Sequence, residues 1–419
     1  MSTTVTTDRA EQARRASYRD VFGRREFSVI FAANIVSMLG TVVAAVALTV
    51  LVYEQTRSPA LAASVMALSF LPYLIGGTLL SAAVDRLPAR RALVACDLAS
   101  AAVVAIMVVP KVPVAGLLVL LFANGLISPV YQGVRAAVLP EILPPGSPYV
   151  LGRALMRMVS QGAQIAGYGV GGLLLAIASP RGALAVDAAT FAASALLVRL
   201  GTSQRPPRAA KAGSMARDSL AGVRAVLAHR PTRRVLLFGW LIPACAVAPE
   251  ALAAPYAVHI GQPARAAGFL LVGIPVGTVI ADVLAARVFP TWLQYRLIVP
   301  AGLLTFVPLA GFAVSPGLGL ALGLLVVCGL GSAWMPGMDG LLVATAPPVL
   351  RSRALALSQA GLMFTQGAGF ALWGIAGQYA PLPVVIPLAA VAGVVAVILL
   401  RPPRGTGAAP LSSARPEAH

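Results

Sequence analysis

The chain has 419 residues, of which 58% are hydrophobic and only 11% are charged. A soluble globular domain is about a quarter charged, so this composition excludes an ordinary soluble protein and indicates an integral membrane protein. The net charge of +18 does not indicate a nucleic-acid partner, because the basic residues concentrate on one side of the predicted membrane and only Arg57, Lys111, Arg181 and Arg265 fall in the opposite loops.

Apolar stretches long enough to cross a bilayer core of about 30 Å follow one another along the chain. Only helices and closed barrels satisfy their backbone polar groups in lipid, so we predict an all-α integral membrane protein with twelve transmembrane helices. The predicted spans cover 27–52, 59–83, 90–109, 113–138, 149–177, 182–200, 234–257, 264–288, 295–314, 317–343, 353–378 and 381–400.

The spans form two sets of six, and the two sets share short sequences. "GTLLSAAVDR" from Gly77 is similar to "GTVIADVLAAR" from Gly277, and "RAL" begins at both Arg153 and Arg353, each pair 200 residues apart. We therefore predict two pseudo-symmetric six-helix halves with a binding site between them near the midplane. The predicted parts are a cytoplasmic N-terminal segment at 1–26, an N-terminal bundle at 27–200, a cytoplasmic linker at 201–233, a C-terminal bundle at 234–400 and a cytoplasmic tail at 401–419.

The charged segment "DRLPARR" follows the second predicted span. Its residues Asp85, Arg86 and Arg90 resemble the G-x-x-x-D-R-x-G-R-R signature of the major facilitator superfamily, although Ser81 and Pro88 replace the two glycines. The resemblance implies that the three charged residues gate an alternating-access cycle at the cytoplasmic side. The alternative is a topological anchor alone.

The fifth predicted span contains "GYGVGGLLL". Its Gly167, Gly171 and Gly172 resemble the antiporter signature G-P-x-x-G-G of the same superfamily, with Tyr168 in the place of proline. Small residues at this spacing allow two helices to approach closely, so a generic helix-packing role is the alternative.

Two longer segments, beginning at Leu51 and at Gly133, resemble the macrolide- and siderophore-efflux branch of the superfamily. The resemblance implies a secondary active transporter that exports a hydrophobic or amphipathic small molecule, a drug or natural product, in exchange for protons. One departure is Thr41, because this branch commonly carries an acidic residue at that point of the first span. A facilitator or importer of a small metabolite without proton antiport is the alternative.

Acidic residues well inside the spans are candidates for proton coupling, because a charge in the membrane core is costly and its presence indicates function. Glu250 is the first candidate, since aligning the two halves places it opposite Thr41 and the preceding Pro249 kinks the helix. An outer-interface acid paired with a lipid or loop group is the alternative. The further candidates are Asp339, Asp282 and Asp187.

Two of the intramembrane acids have nearby basic residues that offer a structural explanation. Asp282 could simply pair with Arg287 on the same helix. For Asp97 we expect a structural pair with Arg135 or Arg153 rather than proton transport.

Amphipathic residues in the spans expected to line the cavity are candidates for substrate binding, because aromatic walls with scattered amides suit bulky, partly apolar ligands. Ordinary helix packing or an interfacial aromatic belt is the alternative, above all for Tyr256 and Trp240. The candidates are Asn34, Tyr131, Gln132, Gln161, Gln164, Trp240, Tyr256 and Trp334.

The sequence has no phosphate-binding loop and no H-E-x-x-H or G-x-S-x-G motif, so we predict no enzyme activity and no cofactor. Cys96, Cys245 and Cys328 lack the spacing of a metal site. The predicted partners are a small-molecule substrate, protons and membrane lipid. We expect a monomer in a bacterial plasma membrane with both termini in the cytoplasm.

Overall fold

The computed structural model describes residues 18–72, 88–143, 147–204 and 223–401, which are helical with no strand among them. The α-helices are α1 (Tyr18–Phe22), α2 (Arg25–Thr56), α3 (Pro59–Phe70), α4 (Ala89–Val108), α5 (Val114–Ile142), α6 (Ser147–Ile177), α7 (Pro180–Gly201), α8 (Arg230–Ala246), α9 (Ala248–Ala251), α10 (Ala253–His259), α11 (Ala267–Arg287), α12 (Thr291–Leu304), α13 (Leu318–Leu330), α14 (Met335–Thr345), α15 (Arg351–Tyr379) and α16 (Leu382–Leu400). Short 3₁₀ helices at Ala264–Ala266, Val307–Val314, Gly331–Trp334 and Pro348–Leu350 connect or extend them.

Nine helical stretches in the described part of the chain are long and apolar enough to cross a membrane. Two further long helices, α6 and α15, and the shorter apolar α3 are not among the nine. The all-α membrane class is confirmed, and the predicted boundaries are close: the span predicted at 381–400 is Leu382–Leu400. The second predicted span is described only as far as residue 72, and the count of twelve stays a prediction.

The last helix shows why such sequences form spans. All 19 residues of α16 are apolar, so no polar side chain competes with the backbone hydrogen bonds of the helix. The helix begins after Pro381, with Pro383 in the first turn where a missing N–H costs nothing, and it ends before Arg401.

Contacts divide the chain into two compact units. The first contains the described parts of Met1–Gln55 and Leu71–Lys211, and the second contains Thr56–Phe70 with the described part of Ala212–His419. The short helix α3 therefore groups with the second unit, although it lies within the predicted N-terminal bundle.

In the first unit, α4 and α7 are an antiparallel pair in which each helix caps the other. Arg90 at the start of α4 donates to the carbonyl of Thr202 at the end of α7, at 3.3 Å. Arg181 at the start of α7 donates to the carbonyls of Met107, at the end of α4, and of Pro110, just beyond it, both at 3.1 Å. Basic side chains here satisfy carbonyls that a helix end leaves open, so the pair is fixed at both ends.

The glycine motif of α6 lies against α2. A methyl group on Gly167 would approach the Val42 Cβ to 2.6 Å, and one on Gly171 would lie 3.5 Å from Val43 and Val46. Gly172 is also buried. Two of the three motif glycines therefore give α2 and α6 a close contact, as small residues do between membrane helices.

In the second unit, the span from Arg230 to His259 is interrupted. It consists of α8, the four-residue α9 and α10, with breaks at Val247 and Leu252. Pro243 lies inside α8, where its missing N–H removes a helical hydrogen bond, whereas Pro249 and Pro255 lie in the first turns of α9 and α10. The break at Val247 lies two residues before Pro249, where the sequence predicted a kink.

Helix α15 is held to two neighbours within the second unit. Two indole N–H groups bridge it to α8: Trp240 donates to the Ser358 carbonyl at 3.0 Å and Trp373 to the Ala244 carbonyl at 2.9 Å. Against α3, the Phe70 and Phe370 rings stack with centroids 5.6 Å apart. These contacts join α3, α8 and α15 side by side.

Candidate functional site

The first unit contains a polar cavity of about 130 Å³ between α2, α4, α5 and α7. Three of the predicted substrate residues, Asn34, Tyr131 and Gln132, line it together with Asp97. Hydroxyl, thiol and apolar side chains complete the wall. Its lining residues are Asn34, Ser37, Met38, Thr41, Val42, Cys96, Asp97, Ser100, Ile127, Ser128, Tyr131, Gln132, Arg135 and Phe191.

Asp97 is the acidic residue of this cavity. Its side chain is only 2% exposed, and its Oδ2 accepts a hydrogen bond from the hydroxyl of Ser194 at 2.7 Å. Ser194, on α7, is fully buried. The expected partner Arg135 acts on Asp97 electrostatically, while the guanidinium of Arg153 lies over the Tyr149 ring. The direct partner of Asp97 is thus a serine that the sequence analysis did not single out.

Arg135 is the basic residue of the cavity, and it contacts two residues of its own helix. It donates to the Gln132 Oε1 at 2.7 Å, and its guanidinium lies 5.9 Å from the centroid of the Tyr131 ring. A guanidinium over an aromatic face is attracted by the ring quadrupole. The cavity therefore combines one carboxyl group and one guanidinium on facing helices.

Two polar groups of the cavity are poorly satisfied within the described residues. The Tyr131 hydroxyl lies beside Ser194 and Asp97, yet it is buried without hydrogen-bond geometry to either. Asn34, 2% exposed, donates its amide to the thioether of Met38 at 3.6 Å, which is a weak acceptor. Buried polar groups in proteins nearly always have a partner, so these two groups have hydrogen-bonding capacity that the described residues do not use.

Thr41, which stands where related sequences carry an acid, also lines the cavity. Its hydroxyl donates to the Ser37 carbonyl one turn earlier, at 2.9 Å. The hydrogen-bond donor of Thr41 is therefore satisfied within its own helix.

Asp187, a predicted proton-coupling residue, is buried against α2. Its side chain is 2% exposed, and the Thr190 hydroxyl donates to its Oδ1 at 3.3 Å and to its backbone carbonyl at 2.8 Å. A methyl group on Gly40 would approach the Asp187 Oδ1 to 2.6 Å. Because Gly40 has no side chain, α2 leaves room for this carboxyl group.

Glu250, the first candidate for proton coupling, lies on the four-residue helix α9 between the two breaks of its span. Its side chain is half-buried, and its carboxyl group interacts electrostatically with the buried thiol of Cys328 on α13. Glu250 thus lies in the second unit at a point where its span is interrupted on both sides.

The other two proton-coupling candidates are more accessible. Asp339 on α14 is exposed, and Asp282 on α11 is half-buried. Each makes a polar or electrostatic interaction of its own. Their roles stay predictions.

The three aromatic candidates of the second unit are engaged in packing. Tyr256 is 1% exposed and donates to the Pro316 carbonyl at 2.8 Å. Trp240 donates to Ser358, and Trp334 packs edge-on against Phe238 at 5.4 Å. These contacts favour the structural alternative, most clearly for Tyr256.

Part of the predicted set lies outside the described residues or side chains. Asp85 and Arg86 fall within 73–87, and the side chain of Gln161 on α6 is not described. Gln164 is half-buried on the same helix. Arg90, the third gating residue, caps α7 through Thr202.

Among the described residues, no group of three or more histidine, cysteine and acidic side chains is arranged to hold a metal ion. The cavity chemistry is that of a carboxyl group, a guanidinium and neutral hydrogen-bonding groups. Such a set can exchange a proton and bind a polar group of a small molecule.

Ser194, Cys96 and Ser100 belong to the site but were not predicted from the sequence. Ser194 is 97 positions from Asp97, and a lone serine in an apolar span carries no signal of its partner. The spacing of Cys96 and Ser100, on either side of Asp97 and four residues apart, could have indicated one polar face of α4.

Comparison with known proteins, by sequence and by fold, points to one class of membrane protein. A family model described as Major Facilitator Superfamily matches residues 30–338, which is more than half of the chain. No curated protein matches the sequence.

Solved structures with a similar fold are transporters. A peptide transporter variant is 13% identical with a TM-score of 0.70, covering 93% of this chain and 96% of its own. A variant of the nucleoside transporter NupG is 16% identical with a TM-score of 0.67, covering 89% and 98%. The inward-open xylose transporter XylE from E. coli is 15% identical with a TM-score of 0.64, covering 90% and 95%. At these identities the likeness establishes the fold alone.

Proposed function

Because the chain belongs to the Major Facilitator Superfamily, and is therefore a multi-pass membrane transporter, we propose that it exports a hydrophobic or amphipathic small molecule in exchange for protons. We further propose that it works by alternating access, as a monomer in a bacterial plasma membrane with both termini in the cytoplasm. Transport of this kind requires a substrate site and a group that takes up and releases a proton.

The observation that carries the proposal is the buried carboxyl group of Asp97 in the polar cavity, a residue for which the sequence favoured a structural pair over proton transport. A carboxyl group in a membrane span is costly, and it persists where it serves a pathway for ions, protons or substrate. Asp97 is 2% exposed, bound by Ser194 and placed near Arg135. A proton that binds there changes the charge of the cavity where a substrate would bind.

We propose Glu250 as a second proton-coupling group, in the other unit. It lies between two helix breaks, and discontinuous helices are where transporters place ion and substrate sites. Asp187 is a further buried acid in the first unit, and Asp339 and Asp282 complete the proposed set. Asp85, Arg86 and Arg90 would then bias the cytoplasmic gate.

Proton coupling is tested in everted membrane vesicles that contain the full-length protein. An inside-acid pH gradient should drive accumulation of amphipathic compounds from a screening panel, and a protonophore should abolish it. Accumulation that is unchanged by the protonophore would contradict proton antiport.

The role of Glu250 is tested with Glu250→Gln, which keeps the size and removes the titratable group. We expect gradient-driven accumulation to be lost in this variant. The matched control is Glu54→Gln, an exposed acid on α2, which should transport as the wild type does. Undiminished accumulation in Glu250→Gln would remove Glu250 from the proposed role.

The direction of transport separates the proposal from its alternative. A facilitator or importer of a small metabolite would equilibrate or accumulate its substrate in right-side-out vesicles, without an opposing proton flux. That result would replace the export proposal.

A further inference from the structure

We propose that the turn between α11 and α12 is a docking site for one anionic phospholipid, and that Arg287 and Arg296 bind its phosphate. The inference goes beyond the proposed function, because it concerns a bound lipid and not the transported molecule. It follows from two exposed guanidinium groups without acidic partners, from the exposed ring of Trp292 and from an apolar strip on α11.

The connection between the two helices is short and is fixed by a side chain. Helix α11 ends at Arg287, and four residues separate it from Trp292 on α12. The side-chain amide of Gln294 donates to the carbonyls of Ala285 and Phe289, both at 3.0 Å. The first turn of α12 is therefore tied to the last turn of α11, which holds the side chains around the turn in place.

The two arginines at this turn keep their charge without a carboxylate. Arg287 is exposed and makes no hydrogen bond or ion pair with a described residue, so the pair with Asp282 that the sequence allows is absent from the described part of the chain. Arg296 is also exposed, and its guanidinium lies 5.2 Å from the centroid of the Trp292 ring. By contrast, Arg181 spends its donors on carbonyls at the end of α4.

Trp292 gives the site its depth in the membrane. Its side chain is 57% exposed in the first turn of α12, and tryptophans at the ends of membrane helices lie at the level of the lipid head groups. The ring holds the Arg296 guanidinium in one place without neutralising it. A planar guanidinium at this level matches the geometry of a phosphate group.

An apolar strip on α11 leads to Arg287 from the membrane core. Ile280, Val283 and Leu284 are exposed, and they lie seven, four and three residues before Arg287. Residues at this spacing share one face of a helix, so the strip and Arg287 face the same side. An acyl chain can lie along the strip while the phosphate of the same lipid is at Arg287.

Charge complementarity selects an anionic phospholipid as the occupant. The turn belongs to the side of the predicted membrane on which the basic residues concentrate, and anionic lipids attract such segments. Phosphatidylcholine carries the same phosphate, but its head group also carries a positive charge that two arginines repel. A soluble anion would gain nothing from the apolar strip, whereas phosphatidylglycerol uses both parts of the surface.

The test titrates delipidated full-length protein with phosphatidylglycerol and with phosphatidylcholine that carries the same acyl chains. Native mass spectrometry resolves the protein with zero, one and more bound lipids and gives the affinity of the first. We expect phosphatidylglycerol to bind at least about fivefold more tightly, since one arginine near an anionic head group is worth about that factor. We expect soluble glycerol 1-phosphate to leave the bound lipid in place.

Four variants assign the site. Arg287→Gln and Arg296→Gln should each lower the phosphatidylglycerol affinity by about fivefold and leave that for phosphatidylcholine unchanged. Arg287→Lys keeps the charge and should retain most of the preference. The matched control is Arg199→Gln, an exposed arginine in the last turn of α7, which should bind as the wild type does. Each variant is compared after its thermal unfolding midpoint shows that it is folded.

Several results would overturn the proposal. Equal affinity for the two phospholipids would, and so would undiminished phosphatidylglycerol binding in folded Arg287→Gln and Arg296→Gln. A loss in Arg199→Gln as large as in Arg287→Gln would show a general attraction to basic residues in place of a site. Displacement of the lipid by glycerol 1-phosphate would replace the lipid site by a site for soluble anions.

Discussion

The hydroxyl of Ser194 donates a hydrogen bond to the Oδ2 of Asp97 at 2.7 Å, across the interface of the antiparallel helices α4 and α7. Both side chains are nearly or fully buried. The bond fixes the carboxyl group at the wall of the polar cavity, and it does so midway between two arginine caps that close the helix pair at its ends.

Removing the serine hydroxyl tests this bond. Ser194→Ala leaves a buried carboxyl group without its donor, so we expect the free energy of unfolding to fall by about 1–3 kcal/mol. Thermal unfolding in detergent measures the change. In the control Ser160→Ala, the lost bond is only to the Met156 carbonyl of the same helix turn, and stability should change little. Equal stability of the two variants would show that the Asp97 bond contributes nothing.

The arginine cap at the end of α4 is tested with Arg181→Gln. This side chain donates to consecutive carbonyls at the end of α4, and we expect its loss to cost about 1–3 kcal/mol. Arg265→Gln removes an exposed charge from the short 3₁₀ helix Ala264–Ala266 and should be close to neutral. A result in which both variants unfold at the wild-type midpoint would argue against the cap.

Glycine contacts in the second unit predict opposite effects for two substitutions. A methyl group on Gly277 would lie against the Val326 carbonyl and 2.8 Å from the Gly329 Cα, and these backbone atoms cannot move aside cheaply. We expect Gly277→Ala to destabilise the protein by about 1–3 kcal/mol. Gly319→Ala places its methyl group in open space and should stabilise α13 by up to about 1 kcal/mol.

Measured unfolding midpoints decide between these two signs. If Gly277→Ala were as stable as Gly319→Ala, the result would contradict the close contact between α11 and α13.

Two tryptophans with matched contacts separate substrate binding from packing. Trp240 and Trp373 each donate to a backbone carbonyl across the α8–α15 interface, at 3.0 and 2.9 Å. Replacing either with phenylalanine should therefore cost a similar amount of stability, about 1–3 kcal/mol. Only Trp240 is a predicted substrate residue, so a raised KM in Trp240→Phe alone would support that role. Equal KM values in both variants would assign Trp240 to packing.

The sequence predicted the helical class and most span boundaries because long apolar stretches leave no other structure in lipid. It also singled out Asn34, Tyr131 and Gln132, which line a cavity inside the first unit. The binding site predicted between the two halves, and the substrate role of these residues, stay predictions. The close packing at Gly167 follows from the spacing of small residues.

Pairings between distant residues could not be predicted in the same way. Whether Asp97 meets Ser194, Arg135 or Arg153 depends on which neighbouring helix packs against its side of α4, and the sequence of α4 does not encode that neighbour. Tyr256 has the same side chain as Tyr131. The Tyr256 hydroxyl donates to the Pro316 carbonyl, whereas the Tyr131 hydroxyl has no hydrogen-bond partner among the described residues. Composition cannot distinguish these two tyrosines.

The most direct measurement of proton exchange starts without any pH gradient. Proteoliposomes with full-length protein and a trapped pH-sensitive dye are given a gradient of a transported amphipathic compound, and the proton movement is recorded. We expect proton movement opposite to the compound in the wild type and its loss in both Asp97→Asn and Glu250→Gln. Movement of the compound with no proton flux in the wild type, or a full proton signal in both variants, would contradict proton exchange at these acids.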